Sequence, residues 1–162
     1  MNRIEAYQFG RRVIRPALEH IGMYSDKAHV LLLGTALAES HLDYVQQFNG
    51  GPARGYFQME TATHDDIWDH FLEFRPELSA KVRALLIEAL PRGVQLEGNS
   101  YYAAAMARVH YMRVREHLPN ADNPLAMAQY WKTYYNTELG AGTVEKALPA
   151  FDLASKCVLE GE

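Results

Sequence analysis

Residues 28–38 read AHVLLLGTALA, a run that is apolar on almost every side when it is drawn as a helix. A helix at a protein surface needs only one apolar stripe, whereas a helix that is apolar all round must be buried on all sides. We therefore expect a buried central helix here. A polar stretch follows over residues 41–54, and the cluster NGGP at residues 49–52 within it predicts a loop or a short hairpin.

Helical periodicity continues on both sides of this segment. Before it, apolar residues recur on one helical face over residues 4–21, although Pro16 is expected to break or kink that helix. The sequence thus predicts a single mostly α domain over residues 1–162, without repeats or an interdomain linker. Further helices are indicated by Thr63 and Asp66 at capping-box spacing, by Pro76 at a first helical position, by residues 102–112, by Asn123-Pro124 as an N-cap followed by proline, and by residues 144–151, which include Pro149.

Composition excludes several classes of protein. The chain has 16 basic and 20 acidic residues, a formal net charge of −4, and no basic stripe, so we expect no nucleic-acid partner. The single Cys157 has no second cysteine with which to form an internal disulfide. No apolar run approaches the roughly 20 residues that a membrane span needs. Because the N-terminus also lacks the apolar core of a signal peptide, we expect a chain made in the cytoplasm.

Glu39 stands directly after the apolar run, where the predicted helix gives way to the polar stretch. A carboxyl group at such an edge is partly desolvated, and desolvation raises its pKa because it disfavours the charged form. The position also costs stability, since the C-terminal end of a helix favours cations. A glutamic acid that keeps its proton at neutral pH can give it to a leaving oxygen, so Glu39 is a candidate general acid. The alternative interpretation is a solvated residue at a helix end.

Two motifs in this segment resemble those of the soluble lytic transglycosylases, a family of the lysozyme-like superfamily. The pair Glu39-Ser40 resembles the family's Glu-Ser motif, and ARGYFQ at residues 53–58 resembles its Gly-Ala-x-Gly-Leu-Met-Gln motif. The resemblance implies a lysozyme-like α-helical fold, with a short loop or hairpin after the catalytic helix, and Glu39 as the single catalytic acid and base. It also implies a set of residues that bind the glycan strand or orient the catalytic group: Ser40, Gly55, Tyr56 and Gln58.

A third motif of the family, Ala-Tyr-Asn, supplies a tyrosine near the catalytic Glu. The nearest counterpart in this chain is AQYW at residues 128–131. The resemblance therefore implies that Tyr130 lies in the substrate-binding cleft and is a hydrogen-bond partner of Glu39 or of the substrate. We expect Trp131, which stands where the family has Asn, to belong to the core.

The second motif departs from the family pattern at two places. Pro52 replaces its first glycine, and Tyr56-Phe57 replace Leu-Met. Gly55 matches the pattern, and we expect its missing side chain to let the glycan approach the backbone closely.

The resemblance implies cleavage of the β-1,4 bond between N-acetylmuramic acid and N-acetylglucosamine, with peptidoglycan glycan strands as the partner and no cofactor. A lytic transglycosylase needs one Glu, whereas a muramidase on the same fold adds a second carboxylate. The candidate for that second group is Asp43. A third interpretation is a catalytically inactive lysozyme-like module that binds or builds part of a phage particle.

We expect no metal site. His64 and His70 are six positions apart, which does not place them on one helix face in the way that the zinc motif His-x-x-x-His requires.

A cytoplasmic chain that acts on the cell wall needs a route to it. Bacteriophage proteins have such a route, because they are released at lysis or travel in the virion. A phage origin is therefore our hypothesis, with action at the bacterial cell wall after release or as part of a virion. Virion or lysis-system proteins are the further partners that it implies.

Overall fold

A computed structural model describes residues 1–47 and 50–162 of the protein. The chain is mostly helical, which confirms the predicted class, and a two-stranded antiparallel hairpin follows the third α-helix. Within the described ranges, no helix has the length and apolar character needed to cross a membrane. In chain order the elements are α1 Arg3–Phe9, a π-helical turn Gly10–Ile14, α2 Arg15–His20, α3 Asp26–Ser40, β1 Ala53–Arg54, β2 Met59–Glu60, α4 Thr61–His70, a 3-10 turn Leu72–Phe74, α5 Pro76–Arg83, α6 Gln95–Gly98, α7 Ser100–Met112, α8 Pro124–Trp131, a second π-helical turn Lys132–Asn136, and α9 Val144–Leu159.

The apolar run forms most of α3, and residues 28–37 are all buried. The hydroxyl of Ser25 caps this helix by accepting a hydrogen bond from the backbone N–H of Ala28. A Cβ atom at Gly34 would lie 2.2 Å from Cδ1 of Phe151, so the glycine lets α9 pack directly on α3. The prediction of a buried central helix is confirmed.

Two hydrophobic cores share α7. The larger core surrounds α3 and takes in α8 and α9, and the smaller core lies beneath α4 and α5. Successive positions of α7 face one core or the other, so this helix joins the two halves of the molecule. Its residues in the larger core are Ala103, Ala104, Ala107 and Tyr111, and those in the smaller core are Tyr102, Ala105, Met106 and Val109.

Neither Pro16 nor Pro149 ends its helix. At Pro16 the helix is continuous, because the chain passes from the π-helical turn Gly10–Ile14 directly into α2 and Ile14 and Arg15 both have helical backbone conformations. Pro149 lies inside α9, whose neighbouring residues Ala147, Ala150 and Phe151 are buried in the larger core. Proline in a helix interior forfeits one backbone hydrogen bond. Burial of this face compensates for that loss.

One predicted helix boundary is wrong. Helix α4 begins at Thr61 with Glu60 as its N-cap residue, so Thr63 and Asp66 lie inside the helix and form no capping box. The hairpin turns at residues 55–58, because Ala53 pairs with Glu60 and Arg54 pairs with Met59. The chain also reverses before this hairpin, because Gln46 forms an antiparallel bridge with Arg54 and the N–H of Gln47 donates to the carbonyl of Ala53 at 3.1 Å. This pairing flanks residues 49–52, as predicted, and Asn49 itself lies outside the described residues.

Candidate active site

Glu39 is the penultimate residue of α3 and lines a cleft of about 920 Å³. The cleft opens where the two hydrophobic cores meet, since residues of both cores line it. One wall consists of β2 and the first turns of α4, and the other consists of the π-helical turn after α8 and the loop that follows it. In addition to Glu39, the residues that line this cleft include Tyr44, Gln58, Trp131, Tyr135 and Asn136.

The environment of Glu39 raises the pKa of its carboxyl group from 4.5 to about 7. Burial is the main cause, because the charged form loses its hydration. Hydrogen bonds from Trp131 and Asn136 and the positive charge of Lys132 act in the opposite direction and stabilise the carboxylate. At neutral pH both protonation states of Glu39 are therefore populated. Burial stabilises the carboxylic acid, and the hydrogen-bond donors together with Lys132 stabilise the carboxylate.

Helix α3 ends one residue after Glu39, at Ser40. His41 and Leu42 adopt left-handed backbone conformations with φ of 54° and 62°, which turn the chain away from the helix axis. The hydroxyl of Tyr44 donates a hydrogen bond of 2.8 Å to the backbone carbonyl of Glu39 and so satisfies one free carbonyl of the helix end. Glu39 is thus held by its backbone as well as by its carboxyl group.

The π-helical turn Lys132–Asn136 brings two hydrogen-bond donors to the same carboxyl group. Trp131 Nε1 donates to Oε1 of Glu39 at 2.9 Å, and the side chain of Asn136, which lines the same cleft, lowers the pKa of this carboxyl group as a second hydrogen-bonding partner. In an α-helix, residue i+5 lies about 140° around the axis from residue i. A π-helical turn is wider and bonds each N–H to the carbonyl five residues back, as Thr137 N–H does to Lys132 O. Residue i+5 therefore comes almost over residue i, which puts Asn136 on the same side of the helix as Trp131.

Ser40 is fully buried and lies behind the cleft. Its hydroxyl is within hydrogen-bond distance of the carbonyl oxygens of Ala36 and Tyr56, at 3.0 and 2.8 Å, and it accepts from the N–H of Leu42. The side chain therefore ties the end of α3 to the hairpin. This contact positions Glu39 through the backbone and leaves no exposed group for a substrate.

Gly55 has a different neighbour from the one expected. A Cβ atom there would lie 1.9 Å from the carbonyl oxygen of Leu96, and φ of Gly55 is +75°. The missing side chain makes room for the protein's own backbone before α7, and Gly55 is not among the residues that line the cleft. Gln58 does line the cleft, and its Nε2 donates a hydrogen bond of 2.8 Å to the carbonyl of Gly55 across the hairpin turn.

The two predicted tyrosines lie outside the cleft wall. The ring of Tyr56 packs edge-on against Phe9 of α1, with ring centroids 5.5 Å apart. The hydroxyl of Tyr130 donates to the carbonyl of Glu116 at 2.9 Å, so it is not the partner of Glu39. Trp131 takes that place. It is buried in the larger core, as expected, but its indole N–H reaches the cleft.

Tyr135 and Asn136 were missed by the sequence analysis. The hydroxyl of Tyr135 donates a hydrogen bond of 2.6 Å to the carbonyl of Phe57, which fastens the hairpin turn to the π-helical turn. The pair Tyr135-Asn136 repeats the last two residues of the Ala-Tyr-Asn motif. Alignment on that pair, instead of on residues 128–131, would have identified both side chains.

The described part of the cleft wall contains two further carboxyl groups, Glu60 and Asp66, whereas Asp43 is not among its lining residues. Asp66 is held by Arg113 at 2.8 Å and by His70 at 2.9 Å, and the hydrogen bond from Arg113 is the main reason that its pKa is lowered. Its carboxylate is therefore engaged by two partners. The geometry gives no support to Asp43 as a second catalytic carboxylate.

Comparison with models of known families, with curated proteins and with solved structures finds no match for this chain. Its function must therefore be inferred from its motifs and from the cleft.

Proposed function

We propose that the protein cleaves peptidoglycan glycan strands as a lytic transglycosylase of lysozyme-like fold, with Glu39 as its single catalytic acid and base. The observation that carries the proposal is the carboxyl group of Glu39, which lies in a cleft and has a pKa of about 7 because it is largely buried. A group with a pKa near the working pH can both give and take a proton.

The reaction has two proton transfers, and Glu39 performs both. First, its carboxylic acid protonates the glycosidic oxygen while the bond from that oxygen to C1 of N-acetylmuramic acid breaks. Positive charge then develops at C1. The Glu39 carboxylate next takes the proton of the muramic 6-hydroxyl, whose oxygen bonds to C1 and closes the 1,6-anhydro ring. Glu39 recovers its proton, and no water is consumed.

The hydrogen bonds at Glu39 suit the stage between these transfers. Trp131 and Asn136 donate to the carboxylate, so they stabilise the charged form that exists after the first transfer. Burial stabilises the protonated form that begins the reaction. The balance of the two effects keeps either form within reach at neutral pH.

A muramidase would need a second carboxylate to attack the sugar or to activate water. Asp66 already has two partners, and Glu60 is the exposed residue that precedes α4. These assignments favour the one-carboxylate reaction. Action on the cell wall after release or within a virion remains part of the proposal.

The test is digestion of purified peptidoglycan, with the products identified by mass spectrometry. The variants are Glu39→Gln, which keeps the size of the side chain but cannot donate the proton, and Asp43→Asn, which removes a nearby carboxylate outside the cleft wall. We expect 1,6-anhydromuramic ends with the wild type and with Asp43→Asn, and none with Glu39→Gln.

Other products would contradict the proposal in distinct ways. Reducing muramic ends would identify a hydrolase, and loss of activity in Asp43→Asn would then make Asp43 its second carboxylate. If the folded wild type releases no product, the protein does not cleave this substrate, and the interpretation as a binding or structural module is favoured.

A further inference from the structure

The ammonium group of Lys132 forms three hydrogen bonds with acceptors of the protein itself. Its Nζ donates to Oδ1 of Asn136 at 2.8 Å, to the carbonyl of Thr137 at 2.7 Å and to the carbonyl of Gly140 at 3.1 Å. An ammonium group has three N–H donors and no acceptor, so all of its donors are engaged. Lys132 is not one of the residues that line the cleft.

These hydrogen bonds decide which way the amide of Asn136 points. Because an ammonium group can only donate, it must face the amide oxygen, and the NH₂ group then faces the other way. Asn136 lines the same cleft as Glu39 and lowers the pKa of that carboxyl group as a hydrogen-bonding partner, a role that only its NH₂ group can take because the amide oxygen faces Lys132. Without Lys132 the amide could turn over and present its oxygen to the carboxylate of Glu39, where a donor is needed.

The same ammonium group also holds the loop of residues 137–142 against Trp131 and Asn136, the two residues whose side chains donate to Glu39. A Cβ atom at Gly140 would lie 2.4 Å from Oδ1 of Asn136, and one at Gly142 would lie 2.6 Å from Cη2 of Trp131. The loop begins with Thr137 at φ of 67°, a conformation that β-branched residues rarely adopt. Its contact with Lys132 therefore holds a path that the loop sequence alone does not favour.

We propose that Lys132 is a positioning residue, which fixes the amide of Asn136 and the loop of residues 137–142 so that an N–H donor faces Glu39. It acts through Asn136 and does not touch the substrate. Its effect on cleavage depends on the proposed function, whereas its effect on the Asn136–Glu39 hydrogen bond does not.

The groups around Glu39 allow this effect to be separated from simple charge. Besides Lys132, the titratable groups that interact electrostatically with Glu39 are Tyr44, Tyr111 and Tyr135. Burial raises the pKa of each tyrosine, so all three are neutral near pH 7. Lys132 lowers the pKa of Glu39 by its charge, whereas the charged residues that line the cleft with Glu39, which are Glu60, Asp66 and Arg113, are retained in every variant. The charge of Lys132 and its hydrogen bond to Asn136 can therefore be separated.

The experiment measures the pKa of Glu39 by NMR titration of its side-chain carboxyl carbon, without substrate. The proteins are the wild type, Lys132→Met, Asn136→Ala and the double variant. Lys132→Met should raise the pKa of Glu39 more in the wild-type background than in the Asn136→Ala background, because only the former loses a positioned donor together with the charge. Equal shifts in both backgrounds would show that Lys132 acts by charge alone and would overturn the proposal.

Lys27→Met is the matched control. Lys27 is exposed at the opposite end of α3, about 18 Å along the helix from Glu39, a distance at which salt screens most of its charge. We expect this variant to leave the pKa of Glu39 unchanged.

A measurement on the unsubstituted protein tests the proposal even if Lys132→Met does not fold. The NH₂ proton signals of Asn136 should shift with the titration of Glu39, because that group faces the carboxylate. Signals that do not respond to this titration would contradict the proposed orientation.

Cleavage of glycan strands gives the functional readout. Lys132→Met should lower kcat about tenfold, the effect of one hydrogen bond to a charged group, and should leave KM unchanged because Lys132 does not line the cleft. A raised KM with unchanged kcat would make Lys132 a substrate-binding residue instead. If the wild type cleaves nothing, the proposed function fails while the titration still tests the role of Lys132.

Discussion

The indole Nε1 of Trp131 donates a hydrogen bond to Oε1 of Glu39 over 2.9 Å, although the two residues are 92 positions apart in the chain. This bond joins the end of α3 to the end of α8. The donor belongs to a ring that is buried in the larger core, so its direction is fixed by packing. The carboxyl group of Glu39 is therefore oriented by the core itself.

Replacement of Trp131 by phenylalanine should raise the pKa of Glu39 above about 7, because the carboxylate loses a donor. Under the proposed mechanism the pH above which cleavage declines should move upward with it. The measurement is the pH dependence of kcat on peptidoglycan. Trp68→Phe is the matched control, since Trp68 is also buried but donates to Tyr102 in the smaller core. An unchanged profile in Trp131→Phe would contradict the role of the indole N–H.

Glu39 should make the protein less stable as the pH rises. Its folded-state pKa of about 7 exceeds its ordinary value of 4.5, so its contribution to stability is fully present below pH 4.5 and is lost as the pH rises through 7. The loss amounts to roughly 3 kcal/mol at most. Glu39→Gln removes the titrating group, so its free energy of unfolding should exceed that of the wild type at pH 8.

Urea unfolding of both proteins at pH 5 and pH 8 measures this difference. Loss of hydration lowers the pKa values of His29 and His110 to about 4, so these histidines weaken folding as the pH falls below 6.5. Both proteins retain these histidines, and the comparison cancels their effect. If Glu39→Gln gains no stability relative to the wild type between the two pH values, Glu39 is not buried as described.

The contact of Gly55 with Leu96 predicts that alanine is poorly tolerated at position 55. The added Cβ would overlap the Leu96 carbonyl in a left-handed conformation, so Gly55→Ala should cost about 3 kcal/mol or more. Gly50→Ala is the control, because Gly50 also has a positive φ but no neighbour within 4 Å among the described residues, and it should cost about 1 kcal/mol. Chemical unfolding checks both. Equal costs would mean that the overlap with Leu96 is relieved easily.

Two tyrosine variants test whether Tyr135, which contacts the hairpin turn, or Tyr130, which the motif predicted, supports the site at Glu39. Tyr135→Phe removes the hydrogen bond to the carbonyl of Phe57 and should lower cleavage about tenfold, because the hairpin turn loses its attachment beside Glu39. Tyr130→Phe removes only the bond to Glu116 and should leave cleavage unchanged. Initial rates of peptidoglycan cleavage distinguish the two variants. A larger loss of activity in Tyr130→Phe would support Tyr130 as the tyrosine that acts at Glu39.

Much of this arrangement could be predicted where a local pattern decides the structure. The uniformly apolar run predicted buried α3, and Asn123 caps α8 as expected, with its side chain accepting from the N–H of Ala126. The raised pKa of Glu39 was also predicted, since a carboxyl group after such a helix must lose hydration. These features depend on residues close together in the chain.

The missed features depend on contacts between distant residues. Nothing near Gly55 in the sequence indicates that Leu96 would occupy the space beside it. Trp131 could be assigned to the core from its position, but not to the cleft as well, because one face of the ring serves packing while its N–H serves Glu39. Asn136 was missed because helical periodicity of 3.6 residues places it away from Trp131.

The π-helical turn that corrects this periodicity has a consequence for how the site can change. Such a turn is an α-helix that contains one surplus residue. If the same residues wound as a regular α-helix, Asn136 would lie about 140° around the axis from Trp131, and the two donors could no longer face Glu39 together, although every side chain was retained. The site is thus encoded in the winding of the backbone at this point as much as in the identity of its residues.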